Sequence, residues 1–290
     1  MKDQGSLRQS TEHDALGVPR GPYRMGIEQQ KRQPRSMSMT DLSGHTAFVT
    51  GASGGLGRHF AITLARAGAK VALAARRPDA LKAVAEEIEA FDGRAFAVSM
   101  DVTDAASIAA AVEAAETELG PITILINNSG VTETVAALEQ DEQSWDRVID
   151  TNLKGAWLVA TEVARHMVRL GHGGSIVNIA SILGLRQGGQ VTAYATSKAA
   201  LIQMTKQLAL ELARHQIRVN ALAPGYIETD LNREFFATDV GKTLIRRIPQ
   251  RRLGQAGDLD GPLLLLASDA SRYMTGSVVA VDGGHLVGSL

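Results

Sequence analysis

The chain has 290 residues, 44% of them hydrophobic, and a formal net charge of −1 at pH 7. That length is enough for one well-buried α/β domain with some excess. The near-zero charge indicates neither a nucleic acid nor a membrane surface as partner. No apolar run approaches the ~20 residues of a membrane-spanning helix. The chain contains no cysteine, which excludes disulfides, thiolate catalysis and cysteine-based zinc sites and fits a reducing cytoplasm.

The N-terminal segment differs in composition from the rest of the chain. Residues 1 to about 40 are rich in Gln, Arg, Ser, Gly and Pro and have few large apolar side chains, so they bury too little surface to offset the entropy cost of ordering. The segment lacks the apolar core of a secretory signal, but its arginines and serines leave an organelle transit peptide open as an alternative. We predict a disordered extension over residues 1–40 and one folded domain over residues 41–290.

From about residue 45 onward, short apolar segments alternate with helical patterns. The predicted strands are 46–50, 70–75, 95–99, 122–127, 174–180, 217–222 and 277–281, and the predicted helices are about 55–67, 78–91, 104–118, 142–170, 193–214 and 257–268. Short, nearly continuous apolar strands separated by helices are typical of a parallel sheet covered on both faces. We therefore predict an α/β fold with a doubly wound, Rossmann-type, seven-stranded parallel sheet, whose ligand crevice lies at the carboxyl ends of the strands.

A glycine-rich turn follows the first predicted strand. The stretch 50–57 reads Thr-Gly-Ala-Ser-Gly-Gly-Leu-Gly and leads into the first helical pattern. A strand, a glycine turn and a helix in this order form the context of a dinucleotide-binding fingerprint. In that interpretation Gly51 permits the tight turn, Gly55 lets the backbone approach a pyrophosphate, and Gly57 lets the helix pack on the sheet, while the helix N-terminus favours phosphate. The alternative is a glycine-rich hairpin or linker.

The end of the second strand indicates which dinucleotide is preferred. A site selective for NAD usually carries a carboxylate here that accepts hydrogen bonds from the ribose hydroxyls. Ala75 and then Arg76 stand at this point of the chain, and an arginine binds a 2′-phosphate through charge-assisted hydrogen bonds. We predict NADP as the favoured cofactor with NAD possible; the alternative is that Arg76 and Arg77 are solvated residues at the start of a helix.

A tyrosine and a lysine in the fifth helical pattern form a candidate acid–base pair. Tyr194 and Lys198 are four residues apart and therefore share one helix face, and Ser181 lies thirteen residues before the tyrosine. An ammonium group near a phenol lowers the phenol pKa from its usual ~10, and a serine hydroxyl can hold the oxygen of a reacting carbonyl or alcohol. The histidines are scattered without ligand spacing, so we predict no metal site. A half-buried tyrosine beside a solvated lysine is the structural alternative.

Together these motifs resemble the classical short-chain dehydrogenases/reductases from about Asp41 to about His285. The turn at 50–57 has that family's Thr-Gly-x-x-x-Gly-x-Gly spacing, and residues 127–130 (Asn-Asn-Ser-Gly) resemble its Asn-Asn-Ala-Gly motif with serine in place of alanine. The resemblance implies a catalytic tetrad of Asn152, Ser181, Tyr194 and Lys198. In it, Lys198 also binds the nicotinamide ribose, and Asn152 holds a water that links Lys198 to solvent. The alternative or additional role of Asn152 is a polar group that satisfies an irregularity of its helix.

The resemblance also implies a cofactor site drawn from the whole edge of the sheet. That site comprises Gly51, Ser53, Gly55, Leu56, Gly57, Arg76, Asp101, Val102, Asn128, Gly130, Tyr194, Lys198, Pro224, Gly225, Ile227 and Thr229. Asp101 and Val102 resemble the pair beside the adenine, and Pro224, Gly225 and Thr229 resemble the segment that closes over the nicotinamide. For Asp101, a helix cap is the alternative role.

The expected activity is NADP(H)-dependent interconversion of a ketone and a secondary alcohol, with Tyr194 as acid and base. The expected partner is a small carbonyl or alcohol substrate. The chain resembles 3-oxoacyl carrier-protein reductases and sugar or sugar-acid dehydrogenases about equally, and a non-catalytic NADP(H)-sensing protein is a remote alternative. Residues 182–191 and 226–240 are expected to wall the substrate pocket. In the first of these loops Arg186 is either an exposed loop residue or a ligand for a substrate carboxylate.

Two long helical patterns suggest assembly. Patterns 142–170 and 193–214 carry apolar residues on more than one face: Ala156, Leu158, Val159 and Val163 in the first, and Leu201, Met204, Leu208 and Leu212 in the second. One apolar stripe can pack on the sheet, and the remainder needs another partner. Members of the resembled family bury this surface between subunits, so we expect a homotetramer, with a dimer as the second possibility.

Overall fold

The computed structural model of the chain describes Met1, residues 40–229 and residues 232–288. The predicted disordered extension over residues 1–40 lies outside the described residues, apart from Met1 and Thr40. The compact unit that contains the sheet runs from Ser38 to the end of the chain.

A single parallel sheet forms the centre of this unit. Its strands are β1 (Thr46–Thr50), β2 (Lys70–Ala75), β3 (Ala95–Ser99), β4 (Ile124–Asn127), β5 (Gly174–Ile179), β6 (Ile217–Pro224) and β7 (Val278–Val281). They lie in the order β3-β2-β1-β4-β5-β6-β7, and every pairing is parallel. The predicted doubly wound fold is confirmed. The chain order reverses between β1 and β4, and a crevice at the carboxyl ends of these strands is where ligands bind in such sheets.

Helices cover both faces of the sheet. They are α1 (Gly55–Arg66), α2 (Pro78–Glu89), α3 (Ala105–Leu119), α4 (Glu142–Ile149), α5 (Ala156–Leu170), α6 (Thr192–Leu212), α7 (Arg233–Ala237), α8 (Asp239–Ile245) and α9 (Asp260–Ala267). Residues of α1, α2 and α9 pack into one buried apolar cluster with the sheet, and residues of α3, α5 and α6 pack into a second. Burial on both faces explains why the strands read as continuous apolar runs.

The structure differs from the sequence prediction in three places. The predicted helix 142–170 consists of α4 and α5 joined by a π-helical turn at Asp150–Gly155. The predicted helix 257–268 is a 3-10 turn followed by the shorter α9. Within the predicted pocket wall 226–240, the helices α7 and α8 follow residues 230 and 231, which lie outside the described residues. Helices this short show too little periodicity to be read from the sequence.

Candidate active site

The glycine turn after β1 is shaped by close packing against its own backbone. Gly51 has a φ of +67° and Gly55 a φ of +53°, which L-residues with side chains rarely adopt. A Cβ on Gly57 would lie 2.1 Å from the Gly51 carbonyl oxygen, whereas a Cβ on Gly55 would meet no atom within 4 Å. Gly57 is therefore required for packing, and Gly55 keeps an approach open to the N-terminus of α1. The residues present fit a bound pyrophosphate.

Asn128 ties the end of β4 to the end of β1. Its Nδ2 donates to the Thr50 carbonyl oxygen at 3.0 Å, and its backbone N–H donates to Thr50 Oγ1 at 3.0 Å. The next residue, Ser129, also donates its N–H to Thr50 Oγ1, at 2.9 Å. These bonds fix the point where the strand order reverses, and they place Asn128 and Gly51 on one side of the crevice.

Two arginines follow β2, and they reach different parts of the predicted cofactor site. Arg77 Nη2 donates to Ser53 Oγ at 3.2 Å, so this side chain crosses to the glycine turn. Arg76 is exposed and lies near Asp101. The pKa of the Asp101 carboxyl is lowered chiefly by hydrogen bonds from the Thr103 N–H and hydroxyl, with a smaller contribution from the charge of Arg76.

Asp101 is not the cap of the following helix. Asp104 caps α3, since its Oδ1 accepts from the Ala106 N–H at 2.9 Å. Asp101 instead accepts from the Thr103 N–H at 2.9 Å and from Thr103 Oγ1 at 2.8 Å. Val102, which follows it, is buried. The capping alternative for Asp101 is therefore wrong, and its carboxylate stands at the carboxyl end of β3.

Ser181 and Tyr194 meet at the carboxyl end of β5. Ser181 follows that strand and accepts a hydrogen bond from the Leu183 N–H at 3.1 Å, which orients its hydroxyl. Burial raises the pKa of the Tyr194 phenol, a hydrogen bond with Ser181 lowers it, and the nearby Tyr226 raises it further. The phenol is consequently neutral at pH 7, and this is the form that donates a proton.

Lys198 lies one helical turn from Tyr194 in α6. Its Nζ donates to the Ile179 carbonyl oxygen at 2.8 Å and lies 5.7 Å from the centre of the Tyr194 ring. The side chain is only 4% exposed, and burial lowers the pKa of the ammonium group to about 8. The sequence-based expectation that Lys198 leaves the tyrosine with a lowered pKa is not met here, because loss of hydration of the phenolate outweighs other effects and the ammonium is directed at a carbonyl.

Asn152 sits in the π-helical turn and is fully buried. Its Oδ1 accepts from the Val131 N–H at 2.7 Å, and its Nδ2 donates to the Val131 carbonyl at 2.8 Å and to Ser197 Oγ at 3.1 Å. A Cβ on Gly130 would lie 3.3 Å from Asn152 Oδ1 and 3.6 Å from Lys198 Nζ, so all three adjoin. The amide thus satisfies the irregular backbone and leaves one lone pair of Oδ1 for a further donor.

The predicted nicotinamide-side segment leaves the sheet at the end of β6. Pro224 pairs with Val281 of β7, and the Gly225 N–H donates to the Val281 carbonyl at 2.9 Å. Ile227 is buried, and the Thr229 N–H donates to Asn232 Oδ1 at 2.8 Å. The segment therefore starts at the same sheet edge as the tetrad.

A buried amide network beneath the site was missed by sequence reasoning. Asn127 Nδ2 donates to Asn178 Oδ1 at 3.1 Å, and Asn178 Nδ2 donates to Thr205 Oγ1 at 2.9 Å. Asn127 also donates to the Ala156 carbonyl at 2.8 Å. The network joins β4, β5, α5 and α6. The signal that could have revealed it is an asparagine at the end of each of two otherwise apolar strands, where a polar group needs partners.

Within residues 40–229 and 232–288, no group of three or more His, Asp or Glu side chains is arranged to hold a metal ion. No helix in that part of the chain is long and apolar enough to cross a membrane.

Comparison with known proteins decides the family. Residues 45–239 match the model of the short chain dehydrogenase family. The chain belongs to this family. It is 40% identical over 248 residues to 2-dehydro-3-deoxy-D-gluconate 5-dehydrogenase of Dickeya dadantii, covering 85% of this chain and 97% of that protein. It is 37% identical over 246 residues to a 3-oxoacyl-(acyl-carrier-protein) reductase of Thermotoga maritima, covering 85% and 99%.

Solved structures agree with this family. A gluconate 5-dehydrogenase from Burkholderia cenocepacia, in complex with NADP and tartrate, is 33% identical, with a TM-score of 0.84 over 88% of this chain and 100% of that one. A short-chain dehydrogenase/reductase from Mycobacterium marinum is 43% identical, with a TM-score of 0.81 over 85% and 97%. This short-chain dehydrogenase/reductase is therefore an NAD(P)-dependent enzyme that interconverts an alcohol and a carbonyl compound.

Proposed function

We propose that the enzyme reduces a ketone to a secondary alcohol, and runs the reverse oxidation, with NADP(H) as cofactor and Tyr194 as the acid and base. The observation that carries this proposal is the neutral, partly buried Tyr194 phenol. It shares a hydrogen bond with Ser181, and Tyr194 lies one helical turn from the buried Lys198. A proton donor, an oxygen-binding hydroxyl and a nearby cation are the groups that ketone reduction requires.

The protein groups divide the work around the reacting oxygen. The cofactor supplies the hydride when bound. Ser181 holds the carbonyl oxygen, and Tyr194 transfers its phenolic proton to the developing alkoxide. Lys198, whose Nζ lies 5.7 Å from the centre of the Tyr194 ring, reduces the cost of the phenolate left behind, although burial keeps the pKa of the phenol raised overall. Asn152 offers its remaining Oδ1 lone pair to a water beside Lys198, which would return a proton from solvent.

The preference for NADP over NAD rests on charge at the end of β2. Ala75 supplies no carboxylate that would repel a 2′-phosphate, while Arg76 and Arg77 supply two guanidinium groups. The contact between Arg77 and Ser53 adds a donor next to the glycine turn. Solved relatives crystallised with NADP, from Burkholderia cenocepacia and Agrobacterium tumefaciens, support the same preference.

The surface of the enzyme favours a small substrate over one carried on an acidic carrier protein. Arginines suited to carrier docking are already paired: Arg165 with Glu162 at 2.8 Å, and Arg169 with His166 at 2.9 Å. Arg214 donates to His215 at 3.1 Å. Glu162 offsets the charge of Arg165, and Glu116, 3.9 Å from Arg169 Nη2, offsets that of Arg169, whereas the bond to His215 leaves the charge of Arg214 in place. We therefore place a 3-oxoacyl thioester second to a free polyhydroxylated ketone or sugar acid.

The test is an NADPH-oxidation assay over ketones, 3-oxoacyl thioesters and keto sugar acids, repeated with NADH. We expect NADPH consumption with at least one free ketone or keto acid at a higher kcat/KM than with any thioester. If NADPH binds but no carbonyl compound is reduced and no alcohol oxidised, the chain would instead be the NADP(H)-sensing alternative, and the proposal would be wrong.

We further propose a homotetramer, on the family resemblance. The eight apolar residues of the two long helices do not carry this expectation, because all of them are buried or partly buried within the subunit. The support comes instead from Trp157 of α5 and Leu210 of α6, which are 44% and 75% exposed. Light scattering at micromolar concentration is expected to give the mass of four chains, and a single-chain mass with full activity would refute the proposal.

A further inference from the structure

Three side chains from three different loops meet beside the tetrad. Arg186 comes from the loop after β5, Tyr226 from the segment after β6, and His285 from the turn after β7. The rings of Tyr226 and His285 lie 5.5 Å apart, and Arg186 Nη1 donates to the His285 carbonyl oxygen. We call these three residues the three-loop cluster.

His285 is the buried polar member of the three-loop cluster. It is 7% exposed, and its Nδ1 is buried without a hydrogen-bond partner among the described residues. The turn that carries it is rigidly held, since the two carboxylate oxygens of Asp282 accept from the Gly284 N–H at 2.9 Å and the Leu286 N–H at 2.7 Å. A buried ring nitrogen without a partner costs free energy, so the position is explained if a ligand supplies the missing partner.

The charges around the three-loop cluster favour an anion. Arg186 forms no ion pair within the described part of the chain. The charged groups of the described residues that act on His285 are the cations Arg186 and Arg247 and one carboxylate, Asp282. The Asp282 oxygens are directed at backbone N–H groups of their own turn. Arg186 therefore keeps guanidinium N–H groups that no carboxylate of the described residues occupies, and such groups bind carboxylates well.

The three-loop cluster adjoins the reacting hydroxyl. Tyr226 is close enough to Tyr194 to raise the pKa of the Tyr194 phenol, and Arg186 in turn lowers the pKa of Tyr226, although burial raises it overall. The ring of Phe236, 5.8 Å from that of Tyr226, packs on the same tyrosine. Tyr226 thus interacts electrostatically with Tyr194 and packs against the imidazole of His285.

We propose that Arg186, Tyr226 and His285 form a carboxylate-binding subsite, and that the substrate is a hydroxy acid or keto acid whose carboxylate lies several bonds from the reacting carbon. This inference rests on the proposed function, because it names the substrate class of the same site. Arg186 supplies the charge, and the Tyr226 hydroxyl and His285 Nδ1 supply further hydrogen bonds. A neutral ketone or a thioester would leave His285 Nδ1 without a hydrogen-bond partner and Arg186 without a counter-ion.

Binding of tartrate, a hydroxy dicarboxylate, tests the subsite without requiring turnover. Threitol is its matched control, because it has the same carbon chain and no carboxylate. Titration calorimetry on the full-length protein with saturating NADP⁺ is expected to show tartrate binding at least about ten-fold more tightly than threitol, since a hydrogen-bonded charge pair is worth roughly that factor or more.

Variants assign this difference to the three-loop cluster. Arg186→Gln is expected to weaken tartrate binding about ten- to hundred-fold and leave threitol unchanged. Arg186→Lys is expected to restore part of the loss, and His285→Phe, which keeps the ring against Tyr226, to weaken tartrate several-fold. Arg272→Gln, which removes an exposed arginine elsewhere, is the control for net charge and is expected to change nothing.

The proposal would be overturned if tartrate bound no more tightly than threitol, or if Arg186→Gln bound tartrate as the unmodified protein does. Should Arg186→Gln fail to fold, as judged by thermal melting, Arg186→Lys and His285→Phe decide in its place. Tyr194→Phe separates this proposal from the proposed function. That variant is expected to bind tartrate normally while its turnover is lost. If the unmodified protein bound tartrate but reduced no ketone, the proposed function alone would be contradicted.

Discussion

The catalytic floor and the substrate wall of this enzyme are built in different ways. The floor comprises Asn152, Ser181, Tyr194 and Lys198, of which Ser181 follows β5, Asn152 lies in the π-helical turn, and the other two lie in α6. Buried Asn152 and Lys198 are fixed by hydrogen bonds to backbone carbonyls at 2.8 Å. The wall is formed by the loop after β5, by α7 and α8 and by the turn after β7, and its exposed apolar residues include Leu185, Phe235 and Val240.

This difference shows which part of the site carries the general chemistry and which part selects the substrate. Groups held by backbone bonds in a packed interior keep one geometry, as proton transfer demands. Groups on the loops are less buried: Arg186, which donates to the His285 carbonyl, is only partly buried, and loops accept sequence change with less effect on the core. Loss of a floor residue is therefore expected to abolish turnover, whereas loss of a wall residue is expected to change which compound is accepted.

The largest effect is expected from Tyr194→Phe. The change removes only the phenolic hydroxyl, so packing is kept while the proton donor is lost, and general acid catalysis is typically worth about 10²–10⁴-fold. Steady-state kinetics are expected to show that fall in kcat, with an unchanged melting temperature and unchanged NADPH binding by fluorescence. Turnover within a few-fold of the unmodified enzyme would show that the floor does not act through Tyr194.

The next largest effect is expected at the cofactor site, after strand β2. Arg76→Ala and Arg77→Ala are each expected to weaken NADPH binding about ten- to hundred-fold, because each removes a charge-assisted contact. NADH binding is expected to change little, and Ala75→Asp to shift preference toward NADH. Fluorescence titration of both cofactors measures this, with Arg272→Ala as the control. Equal losses for NADPH and NADH would mean that neither arginine contacts the 2′-phosphate.

A smaller effect is expected from pH, through Lys198. Burial lowers the pKa of its ammonium to about 8, so the cation is present below pH 8 and is lost as the pH rises through that value, while Tyr194 with its raised pKa stays protonated. The kcat/KM for ketone reduction is expected to decline above about pH 8, by up to about ten-fold per pH unit for a single ionisation. Lys198→Arg is expected to shift the decline to higher pH, and a flat profile up to pH 10 would contradict this role.

The smallest effect is expected from deletion of residues 2–38. Both floor and wall are made from residues beyond this segment, and its composition provides little apolar surface to bury. The truncated enzyme is expected to keep the kcat/KM and melting temperature of the full chain. An inactive or unfolded truncation would show that the segment supports one of the two regions.

The sequence predicted more of the floor than of the wall. The strands were predictable because burial on both faces makes them continuous apolar runs, and Tyr194 and Lys198 were predictable because a four-residue step fixes a helix face. A helix irregularity at Asn152 was one interpretation of that residue, but its π-helical form and bounds were not predictable, since one extra residue in a helix leaves no mark on the apolar pattern. The raised pKa of Tyr194 depends on how deeply the phenol is buried, which residue spacing does not contain.

The contacts between the loops of the wall could not be predicted from the sequence, for a related reason. Arg186 and His285 are about a hundred residues apart in the chain, yet the guanidinium of one donates to the carbonyl of the other. Loop-to-loop contacts of this kind follow no periodicity. The hydrogen bond from Arg77 to Ser53 was unpredictable in the same way. The sequence identified basic residues after β2 but did not show which arginine crosses to the glycine turn.

Transfer of a labelled hydride tests most directly whether the enzyme reduces a ketone with hydride from NADPH and a proton from Tyr194. The enzyme is incubated with NADPH that carries two deuterium atoms at C4 of the nicotinamide and with a ketone that it consumes, and the product alcohol is analysed by mass spectrometry. We expect one deuterium on the carbinol carbon, none on that carbon when unlabelled NADPH is used in D₂O, and loss of product with Tyr194→Phe. A product formed without the cofactor's deuterium, or one whose carbon takes its hydrogen from solvent, would contradict hydride transfer at this site.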